Sequence, residues 1–199
     1  MAEITAELVK ALREKSGAGM MDCKKALETS NGDMEKAMEE LRKKGAATAA
    51  KRADKATNNG VVEAYIHAGG RIGTLVELNC ETDFVAKTDD FKSLAHDIAM
   101  QIAAMSPMVV SREQIDTTVI EKEIEIYKTQ AQNEGKPAHI AEKIAQGRLE
   151  KFYQEVVLLE QSFIKDSSKT IKDLINEAVA KMGENISIRR FHRIHLGEK

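Results

Sequence analysis

The sequence predicts an α+β fold. A small three-helix bundle comes first, then a core in which a small antiparallel three-stranded sheet packs on helices. Three observations carry this reading. Apolar residues recur at helical spacing through the first fifty or so positions, as in Ile4, Leu8, Val9 and Leu12. At Gly60 the pattern turns β-rich, and the runs Val61–Ile66 and Ile72–Leu78 flank a glycine-containing link. Helical periodicity then returns and lasts until Ile186, where a final strand begins. The chain accordingly divides into a helical domain at 1–53, a linker at 54–59 and an α+β core at 60–199.

Gly17 and Gly19 end the first helix, and Cys23, Ala26 and Leu27 mark the second, which stops at Asn31-Gly32. Asp33 is placed to cap a third helix with Met34, Ala37, Met38 and Leu41 on one face. The stretch from Lys43 to Asn59 is rich in Ala and Lys and reads as a partly helical linker, because Ala buries little surface. Its basic residues, Lys43, Lys44, Lys51, Arg52 and Lys55, read as a solvated face, with a phosphate or RNA contact as the alternative.

The link His67-Ala68-Gly69-Gly70-Arg71 predicts a hairpin turn between two strands. Thr88 is positioned to cap a helix striped by Phe91, Leu94, Ala95, Ile98 and Ile102. Ser111 and Gln114 fit a capping box for a short turn. Val119, Ile120, Ile124 and Tyr127 mark the next helix, and Pro137 suits the start of another that carries Ile140 and Ile144. Leu149, Phe152, Tyr153 and Val156 continue that pattern past Gly147, where a break or bend is expected. Ile171, Leu174, Ile175 and Val179 mark the last helix. In the closing strand, from Ile186 to about Leu196, Arg190 and His192 share the parity of Ile186, Ile188, Ile194 and Leu196. A bulge or a polar end to the sheet would account for that.

Composition excludes several classes. The 199 residues are 42% hydrophobic and 31% charged, which suits a folded domain rather than a disordered chain. A net charge of -2 argues against nucleic acid as the main partner, since phosphate neutralisation needs a basic surface. The two cysteines, Cys23 and Cys80, fit no metal spacing and no disulfide framework. Charged residues Glu3, Glu7, Lys10 and Arg13 interrupt any signal-peptide core, and no apolar run approaches a membrane span. A cytoplasmic protein without cofactor or membrane contact is expected.

For catalysis, Cys80 near Asp83, meeting His67 across the hairpin, would form a thiolate nucleophile on paper. A small apolar residue buried at a strand end is the plainer reading. His192 and His195 would point to opposite faces of a strand and make a poor metal pair. No phosphate-binding loop, dinucleotide fingerprint or metal motif is present, so no catalytic or metal residue is assigned. The segment Asn79-Cys80-Glu81-Thr82-Asp83-Phe84-Val85-Ala86-Lys87 stands out. Thr82 or Asp83 can cap a short helical turn, and Phe84 and Val85 follow at once. A large aromatic there is either a core plug, which residue statistics favour, or an exposed anchor of the kind that carries binding energy between proteins.

Glu81-Thr82-Asp83-Phe84-Val85-Ala86-Lys87 resembles one signature of the elongation factor Ts family. Leu12-Arg13-Glu14-Lys15-Ser16-Gly17-Ala18-Gly19-Met20-Met21-Asp22-Cys23-Lys24-Lys25-Ala26-Leu27 resembles the other. Gly147-Arg148-Leu149 through Phe152-Tyr153, and Leu158-Leu159-Glu160-Gln161, are also similar to it. The resemblance implies a ubiquitin-associated-like domain at 1–53 and a dimerisation-type core after the linker. It also implies a non-enzymatic role in exchanging guanine nucleotide on elongation factor Tu, in its GDP-bound and nucleotide-free forms. In that family the segment matching Thr82, Asp83, Phe84 and Val85 enters the partner's nucleotide domain, where the aromatic wedges between helices and disturbs the Mg²⁺ site. Asp83 is then the polar partner of Phe84. The tip matching His67, Ala68, Gly69 and Gly70 presses on a second region, and the N-terminal domain docks elsewhere on the nucleotide domain. The chain resembles the family's short form, which in some members is a homodimer cross-linked through a last-strand Cys. Here that position is His192, so the cross-link cannot form.

Overall fold

The computed structural model describes residues 4–198. Positions 1–3 and 199 of the domain boundaries read above lie outside the described residues. Helix α1 (Ala6–Ser16) is capped by Thr5, whose hydroxyl accepts from Leu8 N at 3.2 Å. Helix α2 (Met20–Thr29) follows the Gly17–Gly19 break, and α3 (Met34–Arg52) is capped by Asp33. Val9, Leu12, Cys23, Ala26, Leu27 and Ala37 form the buried core of these three helices, as the periodicity predicts.

The Ala/Lys stretch departs from the linker reading. Lys43–Arg52 is the second half of α3 and packs against α8 (Ile171–Met182). Small side chains make this contact possible. A Cβ built on the buried Gly45 would lie 3.5 Å from Asn176 O and 3.8 Å from Ala180 Cβ. Ala buries little surface per residue, but it lets two helix backbones approach closely, a consequence that composition alone does not register.

The three-stranded antiparallel sheet forms as expected, from β1 (Asn59–Ile66), β2 (Ile72–Cys80) and β5 (Ile186–His195), with β2 central. Its inner face places Val76, Leu78, Cys80, Ile186 and Ile188 against α5 (Asp89–Met105) and α8. Phe91, Ile98 and Ile102 supply the α5 side of that core. The imperfect alternation of the last strand is a β-bulge. Leu78 pairs with Ile188 and Glu77 with Arg190, leaving Arg189 unpaired. Past the bulge the faces exchange, so Ile194 and Leu196 point outward instead of sharing a face with Ile186 and Ile188.

Four local expectations need correction or addition. Gln114 accepts from Val110 N at 2.8 Å, and Ser111 makes no side-chain cap, so the short 3₁₀ turn Arg112–Gln114 lacks the capping box. Asp116, unremarked in the sequence, caps α6 (Thr117–Asn133) by accepting from Thr118 N at 2.8 Å. Helix α7 (Ala138–Val156) runs through Gly147 without a break, because Gly147 sits on its solvent side and the buried face of Ala141, Ala145, Leu149 and Tyr153 is uninterrupted. A second, two-stranded sheet of β3 (Ser162–Phe163) and β4 (Asp166–Thr170) is also present. It was invisible beforehand because Asp-Ser-Ser-Lys-Thr shows no apolar alternation.

Two glycines test this architecture in opposite directions. A Cβ on Gly60 would fall 2.1 Å from Leu78 O, inside the β1–β2 ladder. Gly60→Ala is expected to cost about 1–3 kcal/mol, the scale of overpacking, in urea unfolding. At Gly147 nothing lies within 4 Å of an added Cβ, and Gly147→Ala is expected to stabilise. The gain should be about 0.5–1 kcal/mol in the same measurement.

Candidate functional site

Strand β2 ends at Cys80, and the chain passes at once into the four-residue helix α4 (Asp83–Ala86). Helix this short has no stability of its own, since one turn does not repay the cost of nucleation. Its placement comes from its ends and from what lies beneath it. Below, Ala86 is buried and Val85 packs on the main core. At the N-terminal end Thr82 is the N-cap, with Val85 N donating to its hydroxyl at 3.5 Å. At the C-terminal end Thr88 Oγ1 donates to Val85 O at 2.8 Å and also caps α5, with Phe91 N donating to it at 3.3 Å. Asp83 pairs with Lys87 on the outer surface.

With Val85 and Ala86 turned inward, Phe84 is turned outward. Its side chain is 86% exposed, more than any other large hydrophobic among the described residues. Residue statistics favour burial at this position, and the fold rejects that reading.

The residues just before Phe84 are held from behind. Glu184 Oε2 accepts from Thr82 N at 3.0 Å, and its Oε1 accepts from Thr82 Oγ1 at 2.6 Å. Glu81 Oε1 accepts from Asn185 N at 2.6 Å and from Arg52 Nη1 of α3 at 2.8 Å. Asn59 Nδ2 donates to Glu81 O at 2.7 Å, and Asn185 Nδ2 donates to Lys55 O at 2.8 Å. The Asn185 amide, and then the Arg52 guanidinium, hold the Glu81 carboxyl below its ordinary value. None of Arg52, Glu184 or Asn185 was singled out from sequence as a site residue. They approach from far along the chain, and only a polar pair after Gly183 at a strand entry hints at a corner.

The hairpin tip His67, Ala68, Gly69 and Gly70 is exposed. Gly70 N donates to His67 O and His67 N to Ile72 O, both at 2.9 Å. Gly69 and Gly70 take φ of 88° and 68°, left-handed values that this tight turn needs. Tyr65 Oη and His67 Nδ1 lie 3.1 Å apart. The tip and α4 are at opposite ends of β2, about 25 Å apart at the usual rise per residue. His67 therefore never meets Cys80. Burial, and then the charge of Glu184, push the Cys80 thiol up, and its Sγ donates to Thr82 O at 3.1 Å. The Cys80 nucleophile reading fails on both counts.

The outer face of the sheet carries three cross-strand rows: Val62–Glu77–Arg190, Ala64–Leu75–His192 and Ile66–Gly73–Ile194. Val62, Ile66 and Ile194 are 68%, 66% and 74% exposed, an apolar surface no element of the described chain covers. Arg190 pairs with Glu77 at 2.7 Å along its margin. In the basic stretch of α3, Lys43 pairs with Glu39, Lys44 with Asp22 and Arg52 with Glu81, so much of its charge is answered by carboxylates. Among the described residues no cluster of metal-ligating side chains forms, and no helix is long and apolar enough to cross a membrane.

Fold and site together define an α+β protein that displays a braced aromatic, an exposed hairpin tip and an uncovered apolar sheet face. The family model for elongation factor Ts matches residues 2–198. The chain is 66% identical to elongation factor Ts of Carboxydothermus hydrogenoformans over 195 residues, 98% of this chain and 90% of that one. It is 64% identical to elongation factor Ts of Moorella thermoacetica, covering 98% and 96%. With that of Desulforamulus reducens it shares 63% over 198 residues, covering 100% and 91%. The chain belongs to the elongation factor Ts family, a family of translation elongation factors. Its three N-terminal helices fit a ubiquitin-associated-like domain.

Because Glu81 is more acidic folded than unfolded, its stabilising effect is complete above the unfolded value near 4.5 and fades as pH falls through the lower folded value. Urea unfolding of Glu81→Gln between pH 2 and 7 should show a deficit against the unsubstituted protein near neutrality that closes below about pH 4. A deficit that is constant with pH would contradict the brace.

Proposed function

We propose that this protein is a guanine-nucleotide exchange factor that binds elongation factor Tu and speeds release of its GDP. The observation that carries the reading is the exposure of Phe84 on a turn fixed from three sides. A buried or freely moving aromatic would not serve as a wedge; a rigid, solvent-facing one enters a partner with little ordering cost. Thr82, Asp83, Phe84 and Val85 form the segment that enters the nucleotide domain. Phe84 is inserted, and Asp83 is its polar companion.

GDP is held largely through Mg²⁺ bridging protein and phosphate oxygens. A wedge that shifts the metal's surroundings weakens nucleotide binding. By linkage, nucleotide weakens the factor's binding by the same ratio. Exchange then follows from mutual displacement, and no covalent chemistry is asked of this chain. Residues 1–53 act as a docking domain on the nucleotide domain, joined through 54–59 to the core at 60–199, and the tip His67–Gly70 makes a second contact. The site of action is the cytoplasm.

The core also forms a homodimer through the outer face of the sheet. Its apolar rows are larger than scattered surface residues would give, and the Glu77–Arg190 margin supplies a polar rim. With His192 in the central row, this dimer holds by packing rather than by a disulfide.

Two measurements test the reading. Stopped-flow release of a fluorescent GDP analogue from elongation factor Tu should slow by at least about tenfold with Phe84→Ala, the scale of a hot-spot aromatic. An unchanged rate with a folded variant would remove the wedge. Sedimentation at micromolar concentration should show a dimer that becomes monomeric in Ile194→Lys without unfolding. A monomer before substitution would refute the dimer.

A further inference from the structure

The corner between α8 and β5 belongs to none of the contact surfaces above, yet α4 is fastened there. We propose that Glu184 is a positioning residue for nucleotide exchange: by holding both polar groups of Thr82 it sets the direction in which Phe84 leaves the protein. The proposal rests on the wedge reading of Phe84.

The geometry leaves Thr82 little freedom. A hydroxyl has one proton to give. Here it goes to Glu184 Oε1 at 2.6 Å, which turns a lone pair toward Val85 N, the amide that the N-cap must satisfy. The other carboxylate oxygen takes the Thr82 main-chain N–H at 3.0 Å. One carboxylate thus fixes both the backbone and the side chain of the residue two positions before Phe84. Both bonds are charge-assisted and lie in a half-buried site, where less water competes for them than at an open surface.

Other restraints on α4 are local or apolar. Thr88 and Lys87 bind it from its own C-terminal side, while Val85 and Ala86 rest on the apolar core. Cys80 Sγ, two residues back in β2, donates to Thr82 O at 3.1 Å, and Glu184 is the contact that ties Thr82 to a segment distant in sequence. Its own corner is rigid, because Asn185 N donates to Glu81 Oε1 at 2.6 Å and the Asn185 side chain reaches Ala53 O and Lys55 O. The frame that aims Phe84 therefore includes α3, α8 and β5.

The test is a double-mutant cycle read by stopped-flow GDP release from elongation factor Tu, with circular dichroism and urea midpoints as folding controls. Glu184→Ala should lower the maximal release rate about tenfold, the scale of losing a charge-assisted hydrogen bond. The factor concentration giving half that rate should change less than about twofold, because the remaining docking surfaces are intact. Glu184→Asp keeps the charge but is too short to reach both Thr82 groups, and should lose about threefold in maximal rate. In a Phe84→Ala background neither substitution should slow release further, since residues acting as one unit are non-additive.

A folded Glu184→Ala or Glu184→Asp with an unchanged maximal rate overturns the proposal. So does a loss that multiplies with that of Phe84→Ala, which would mark Glu184 as acting independently of the wedge. If Glu184→Ala does not fold, Glu184→Asp decides alone. If Phe84→Ala by itself leaves release unchanged, the wedge reading has failed, an outcome separate from failure of the Glu184 arm.

Discussion

Glu81 and Thr82 leave the central strand and are taken up at once by Glu184 and Asn185, at the corner that opens the neighbouring strand. The exchange is reciprocal in kind. Glu184 gives its carboxylate to the backbone and hydroxyl of Thr82, and Asn185 gives its amide to the carboxylate of Glu81. Arg52, at the last turn of α3, joins the same carboxylate from outside the sheet. The N-terminal helices, the closing strand and the short helix bearing Phe84 therefore meet at one small polar knot. Such knots are costly when partly satisfied and specifying when complete. This one is supplied from both sides, so a four-residue helix with no intrinsic stability holds a fixed orientation.

Much of the fold was legible in the residues. The helix stripes, the Thr88 cap, the glycine-bearing hairpin and the antiparallel sheet follow from local periodicity and turn chemistry. The irregular last strand announced its bulge through broken alternation. Two departures, at Gly147 and in the Ala-rich half of α3, share a cause. By sequence Gly147 reads as a breaker, but on a solvent face it costs only its own propensity. The Ala-rich half of α3 offers little area to bury, and its value lies in close approach to α8. In both, tertiary context gives a local property its effect.

Phe84 is the sharpest case. Hydrophobicity argues for burial, and nothing in the flanking periodicity argues otherwise. The family resemblance implies exposure, and Phe84 is 86% exposed. The bracing residues were less legible still, because Arg52, Glu184 and Asn185 are ordinary surface residues until the fold brings them together. A site made of one display residue and a distant frame leaves a short motif in sequence and hides most of its support.

The bulge at Arg189 decides what each face of the closing strand carries. Upstream of it the strand serves the interior, and downstream the same strand turns its aliphatic side chains to the open face. The unpaired residue is the joint at which one strand changes allegiance. Pairing that closed the bulge at unchanged length would carry Ile194 inward and set Arg190 and His192 on the face of Ile186 and Ile188, leaving composition untouched. Register along β5, set at one unpaired residue, thus decides which side chains each face of the sheet receives.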